Sequence, residues 1–216
     1  MSRQPPRHPI ASAGFTIVEL MVALALTFVA CGGIYMSYVT YSSAGDAQEE
    51  MLAMQQNGRI ALSRLAKDLR MAGFDPTGDA DAGITLAGSS QITFTMDLNE
   101  DGDLADTGED LTYSVVGGEL DRNDNTVVGE TRSLVDGVDA IDFVYLDQDG
   151  AVTADLNEIR TVRVSILVRT INPDATVNDT TTYLNSSGTG FYTAAGDQFR
   201  RRVVATEVAC RNLDVD

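Results

Sequence analysis

Over residues 15–41 nearly every position is apolar, and apart from tyrosine and cysteine the only ionisable side chain is Glu19. A helix needs about 20 such residues to cross a bilayer, and this run is longer. The pattern then changes. Residues 42–74 contain no proline, and Met51, Met54, Gly58, Ala61, Leu62, Leu65, Leu69 and Ala72 recur three and four apart. Glu49, Arg59, Arg64, Lys67 and Arg70 take the opposite side. This period predicts a continuing helix with one wet face. Gly73 ends it and Pro76 keeps it ended.

Beyond Pro76 the period becomes two. Ile92, Phe94 and Met96 alternate with polar neighbours, as do Leu111, Tyr113 and Val115, and then Ile141, Phe143 and Tyr145. Val162, Val164, Ile166 and Val168 form the cleanest run, and Arg202, Val204, Thr206 and Val208 suggest the last strand. Turn signals separate them: Gly88-Ser89-Ser90, Gly117-Gly118, Asp121-Arg122-Asn123-Asp124-Asn125, Asp136-Gly137 and Asp149-Gly150. Gly117-Gly118 fits a tight hairpin. Residues 172–197, rich in Thr, Asn, Ser and Gly, exceed an ordinary loop and are expected to be exposed or partly disordered. The pattern as a whole predicts an α+β chain. A long N-terminal helix, transmembrane in its first half and amphipathic in its second, packs on one antiparallel sheet of some five to seven strands.

Composition changes this picture in three places. The net charge of −17 argues against nucleic acid and anionic surfaces as partners. His8 is the only histidine and precedes the apolar run, along with Arg3, Arg7, Pro5, Pro6 and Pro9. A chain beginning after that leader has no histidine, which removes Ser-His-Asp and Cys-His catalysis and the commonest general base, so no enzyme is expected. Cys31 lies in the apolar run and Cys210 near the C-terminus, so no disulfide between them is expected. Basic residues before the run and Asp46, Glu49 and Glu50 after it place the leader in the cytoplasm and the bulk of the chain outside.

The string Gly14-Phe15-Thr16-Ile17-Val18-Glu19-Leu20-Met21-Val22-Ala23 after a short basic leader resembles the processing signal of type IV pilins and pseudopilins. The stretch 59–74, ending Leu69-Arg70-Met71-Ala72-Gly73-Phe74, is similar to PilW-type minor pilins, and less closely to J-type minor pseudopilins of type II secretion. The resemblance implies the type IV pilin-like fold and cleavage between Gly14 and Phe15 by a prepilin peptidase, which methylates Phe15. It also implies a Glu19 that pairs with the N-terminal amine of a neighbouring subunit. It divides the chain into a leader at 1–14, a transmembrane half-helix at 15–41, an amphipathic half at 42–74 and a periplasmic or extracellular β domain at 75–216. The implied role is a minor pilin that helps initiate pilus assembly and joins a tip complex. The implied partners are other minor pilins, the major pilin and the inner-membrane assembly platform. The implied location is the inner membrane, then the pilus surface. A minor pseudopilin and a tip adhesin binding through 172–197 stay open as alternatives.

One loop suggests a metal. Asp97, Asn99, Asp101 and Asp103 present oxygens at alternate positions around Gly102, the first half of a calcium loop. The pattern then departs, with Gly108 at the twelfth position and Glu109 one residue late. Asp103, Asp106, Glu109 and Asp110 could close a calcium site of another kind; a solvated acidic turn is the alternative. Asp147, Asp149 and Asp155 form a weaker set. Arg200-Arg201-Arg202 reads as a solvated basic triplet, or as an answer to an acidic partner or to this chain's own acidic loops. Tyr35, Tyr38 and Tyr41 suit a membrane interface.

Overall fold

The computed structural model describes residues 14–214; of the expected leader only Gly14 is among them. The chain divides into two compact units, Met1–Asp46 and Ala47–Asp216. The first helix, α1, is assigned over Ile17–Leu69.

In the first unit α1 has the length and apolar character to cross a membrane. Three of its hydroxyls bond to carbonyls of the helix itself. Thr27 donates to the Ala23 carbonyl at 2.7 Å, Ser37 to Gly33 at 2.9 Å and Thr40 to Met36 at 3.0 Å. Such back-bonding hides a polar group where water is absent.

In the second unit α1 carries the predicted stripe. Met54, Ala61, Leu65, Ala66 and Leu69 are buried while Arg59, Ile60, Ser63, Arg64, Lys67 and Arg70 are exposed. Gly58 lies at the closest approach: a Cβ there would stand 2.9 Å from a Val204 methyl and 3.3 Å from one of Val168. Met51, placed on the apolar side by its spacing, is 37% exposed.

The expected single sheet of five to seven strands is instead three antiparallel sheets. Ten strands are assigned among the described residues: β1 (Ile84–Ala87), β2 (Gln91–Thr95), β3 (Asp110–Val116), β4 (Glu119–Asp124), β5 (Thr131–Asp136), β6 (Val138–Leu146), β7 (Thr161–Arg169), β8 (Thr182–Leu184), β9 (Gly190–Thr193) and β10 (Arg201–Ala209). β1 to β5 form a meander in sequence order, β10-β7-β6 a second sheet and β8-β9 a hairpin. The chain passes from the first sheet to the second at Gly137, whose φ of 73° and whose 2.8 Å clearance between a would-be Cβ and the Arg169 carbonyl admit no side chain. One core joins both large sheets to the helix, with Phe94, Tyr113, Phe143, Val164 and Ile166 among its members. The seam is closed by polar contacts: the Phe143 N–H donates to the Ser89 carbonyl at 2.8 Å and the Tyr145 hydroxyl to the Gly88 carbonyl at 2.7 Å.

Two expectations fail for physical reasons. The polar run 121–125 is not a turn but mostly strand β4, because its side chains have partners inside the fold. Arg122 donates to Asp68 of α1 at 2.9 Å, and the buried Tyr113 hydroxyl donates to the same oxygen at 2.7 Å. Burial first, and the Asp68 charge second, push the Tyr113 phenol well up. Residues 172–197 are mostly exposed, as expected, but the other alternative, a partly disordered stretch, fails, since they fold back as β8 and β9.

Candidate functional site

The helix start is built from local sequence. Thr16 precedes the first helical residue, and Glu19 sits three positions on. The Glu19 Oε2 accepts the Thr16 N–H at 2.9 Å and the Thr16 hydroxyl at 3.0 Å, while the Glu19 N–H donates back to the Thr16 hydroxyl oxygen at 3.2 Å. This is a reciprocal cap, in which a threonine and a glutamate satisfy amides that the helix leaves unpaired. The sequence signal for it is the Thr-x-x-Glu spacing of Thr16 and Glu19. Gly14 and Phe15 lie just before the cap, and Phe15 is 92% exposed. The carboxylate takes part in the cap through Oε2 alone.

The acidic loop divides into two sets. Asp97 and Glu109 are fully buried. Asp97 accepts the N–H groups of Glu100 at 2.7 Å and Gly102 at 3.0 Å. Glu109 accepts those of Leu98 at 2.9 Å and Asp106 at 3.0 Å. These two carboxylates therefore close the loop on itself. Asp101, Asp103 and Asp106 are exposed, with one carboxylate oxygen of each within 4.8 Å of the others. Oxygens held at 2.3–2.6 Å from one calcium ion fall within such a spacing. The Asn99 amide donates to Asp101 at 2.9 Å and to Asp106 at 2.8 Å, bridging two of the three. The N–H of Asp103 and then the Asn99 amide hold the Asp101 carboxyl below its ordinary range. The six residues singled out in sequence are thus close in the fold, but only three of them gather as exposed carboxylates. Asp147 and Asp155 are spent locally, on the N–H groups of Asp149, Ala151 and Asn157.

A second polar cluster was not anticipated in this form. The side chain of Arg201, at the start of β10, is 1% exposed and meets Asp139 at 2.6 Å, Asp179 at 3.0 Å and Asp197 at 2.5 Å. Arg200 pairs with Asp174 at 2.7 Å, and Arg169 lies 3.2 Å from Asp139. The guanidinium of Arg169 stands 4.2 Å from the Phe199 ring centre. Of the basic triplet, Arg202 alone is exposed. The other two fasten the 172–197 segment to the three-stranded sheet. Burial raises the Asp179 carboxyl, but hydrogen bonds from Thr181, Tyr183 and Arg201 outweigh it and bring it down to about 2. Cys31 and Cys210 are both free, and burial pushes the Cys210 thiol up to about 12, which makes it inert.

Residues 114–212 match the family model of type IV pilus-assembly protein W, and residues 11–35 match that of the prokaryotic N-terminal methylation motif. A type IV-like pilin from Thermus thermophilus is similar in structure, with a TM-score of 0.54 at 17% identity over 74% of this chain and 98% of its own. No curated protein matches the chain in sequence.

Proposed function

We propose, from the premise that this chain is a type IV pilin-like protein of the PilW type, that it is a minor pilin that helps start pilus assembly and stays in a tip complex. The observation that carries the reading is the methylation motif and the PilW-matched domain on one chain, with a membrane-length helix at its start. A prepilin peptidase would cut between Gly14 and Phe15 and methylate the new terminus. Until assembly the first half of α1 would anchor the chain in the inner membrane, with the remainder periplasmic. Assembly would then carry it to the pilus with other minor pilins, the major pilin and the assembly platform as partners. Glu19 would meet a neighbour's terminal amine, since a carboxylate and an amine in low dielectric each stabilise the other's charge.

Mass spectrometry of the chain from its own membranes tests the processing step, with a methylated Phe15 terminus expected and an intact Met1 or Ser2 terminus excluding it. Deleting the gene separates the pilus from the secretion reading. Loss of surface pili with secretion intact is the expected result, and loss of secretion alone would make the chain a minor pseudopilin.

A further inference from the structure

Residues 170–200 leave the three-stranded sheet and return to it at one point. Arg169 of β7 and Arg201 of β10 are paired across the sheet, and the Thr170 N–H donates to the Arg200 carbonyl at 2.9 Å, so the two ends of the excursion lie side by side. Between them the chain is bonded to itself from root to tip. The Asp174 N–H donates to the Gln198 carbonyl at 2.7 Å, Asp179 to Asp197 at 2.8 Å, Ala194 to Thr181 at 3.0 Å and Asn185 to Thr189 at 2.8 Å. The result is a hairpin arm on a short root. It adds no residue to the hydrophobic core that joins the large sheets to the helix, and of its apolar side chains only Ala194 is buried among the described residues.

Polar contacts hold the arm on the sheet. Arg201 of β10 meets Asp179 and Asp197 of the arm, and its guanidinium lies 5.5 Å from the Tyr192 ring centre. The Asn185 amide donates to Asp142 of β6 at 2.9 Å, and the Ser186 N–H to the Ser165 hydroxyl of β7 at 3.0 Å. The charged groups of this latch each keep a partner on their own side of it. Arg201 keeps Asp139 of β6, Asp179 keeps the Thr181 N–H and the Tyr183 hydroxyl, and Asp197 keeps the Phe199 N–H. Lifting the arm therefore strands no buried charge, which is the event that makes breaking an ion pair expensive. Beneath the arm Ser165 is 1% exposed, and Leu167, on the same face of β7, is fully buried although it stands outside the core. We propose that residues 170–200 form a lid, hinged at Thr170 and Arg200, that opens as a unit with the core intact and uncovers the face of the three-stranded sheet around Ser165 and Leu167. A lid of this kind is independent of the pilin reading above.

The test uses the full chain in detergent with Ser165→Cys and N-ethylmaleimide as the probe. Peptide mapping reads position 165 apart from Cys31 and Cys210. The expected labelling is about a hundredfold faster than global unfolding allows, with a rate that scarcely changes as denaturant is raised below the melting transition, because a local opening exposes little surface. Asp142→Ala removes one latch bond and leaves the interior of the arm alone. It raises the labelling rate about fivefold, the population change that one hydrogen bond is worth. If Ser165→Cys does not fold, amide exchange in the wild-type chain replaces it. The Ser186 N–H, bonded across the latch, then exchanges well before the Asp179 and Ala194 N–H groups inside the arm and before the amides of β7. Labelling with the denaturant slope of global unfolding, or Ser186 exchanging together with β7, would mean that arm and core open only together and would overturn the proposal. So would labelling as fast as that of a free peptide thiol, since the arm would then never close, and so would a rate unmoved by Asp142→Ala.

Discussion

At the scale of single residues, burial separates groups that look alike in the sequence. Asp97 and Asp101 occupy equivalent places in the alternating acid pattern, yet Asp97 is buried on two backbone amides and Asp101 is exposed. Alanine at Asp97 or Glu109 strands two N–H groups each. We expect a loss of about 1–3 kcal/mol per stranded set, measured by denaturant melting in chelator. Alanine at Asp101, Asp103 and Asp106 should leave that stability unchanged and abolish any rise in melting temperature caused by millimolar calcium. A calcium response that survives this triple substitution would place the ion elsewhere. Gly58 gives the second prediction at this scale. Its Cβ would press on the stiff methyls of Val204 and Val168, and overpacking costs about 1–3 kcal/mol against the roughly 1 kcal/mol that alanine gains in a helix. Gly58→Val, bulkier and β-branched, should therefore melt well below Gly58→Ala.

At the scale of elements, what could be read from the sequence was what has a local period. Strand β7 was plain because Val162, Val164, Ile166 and Val168 alternate without interruption. The amphipathic part of α1 was plain for the same reason, at its own period. Strand β4 was hidden because Asp121, Arg122, Asn123 and Asp124 look like turn residues, and the partner that turns Arg122 inward lies 54 residues away. The 172–197 segment was hidden likewise. Its anchor Arg201 meets Asp139 across 62 residues and Asp179 across 22, and of its three partners only Asp197, four residues away, shares a short window with it. That anchor predicts a pH response. Asp174 is held at about 2 by the Thr176 hydroxyl and N–H and by Arg200, Asp179 also stands at about 2, and Asp197 is lowered chiefly by Arg201. Folded values below the unfolded value of about 3.9 stabilise the fold above that pH. The contribution is lost as pH falls through about 2. Burial raises Asp121 and Asp142, which act in the opposite sense and become more favourable on acidification. The wild-type melting temperature should drop between about pH 4 and pH 2, and Arg201→Met should flatten that drop. At pH 7 the same variant leaves Asp179 and Asp197 without their cation and Asp139 with Arg169 alone, a loss of about 3–5 kcal/mol. Hydrogen exchange should show β8 and β9 opening first.

At the scale of the whole molecule the question is whether Glu19 acts in assembly as proposed, and the cap at the helix start sharpens it. Two roles compete for one side chain. As a capping group, Glu19 accepts the Thr16 N–H, a task that needs an oxygen but no charge. As the counter-ion of a neighbour's amine it needs the charge. Alanine removes both and cannot tell them apart. Glutamine keeps the oxygen and the length, and Glu or Gln serves equally in this kind of cap. Glu19→Gln should therefore insert, be cleaved after Gly14 and keep the helix start, while losing the ability to stabilise a positive terminus in low dielectric. If charge pairing drives assembly, Glu19→Gln should abolish pili as fully as Glu19→Ala, with the mature chain accumulating in the membrane. Thr16→Ala, which weakens the cap by about 1 kcal/mol but keeps the backbone N–H bond to an intact Glu19 carboxylate, should then assemble near normally. The reverse outcome, pili from Glu19→Gln and none from Thr16→Ala, would make Glu19 a structural cap and end its assignment to the subunit interface. Immunoblots for the mature chain alongside pilus counts by electron microscopy distinguish the two.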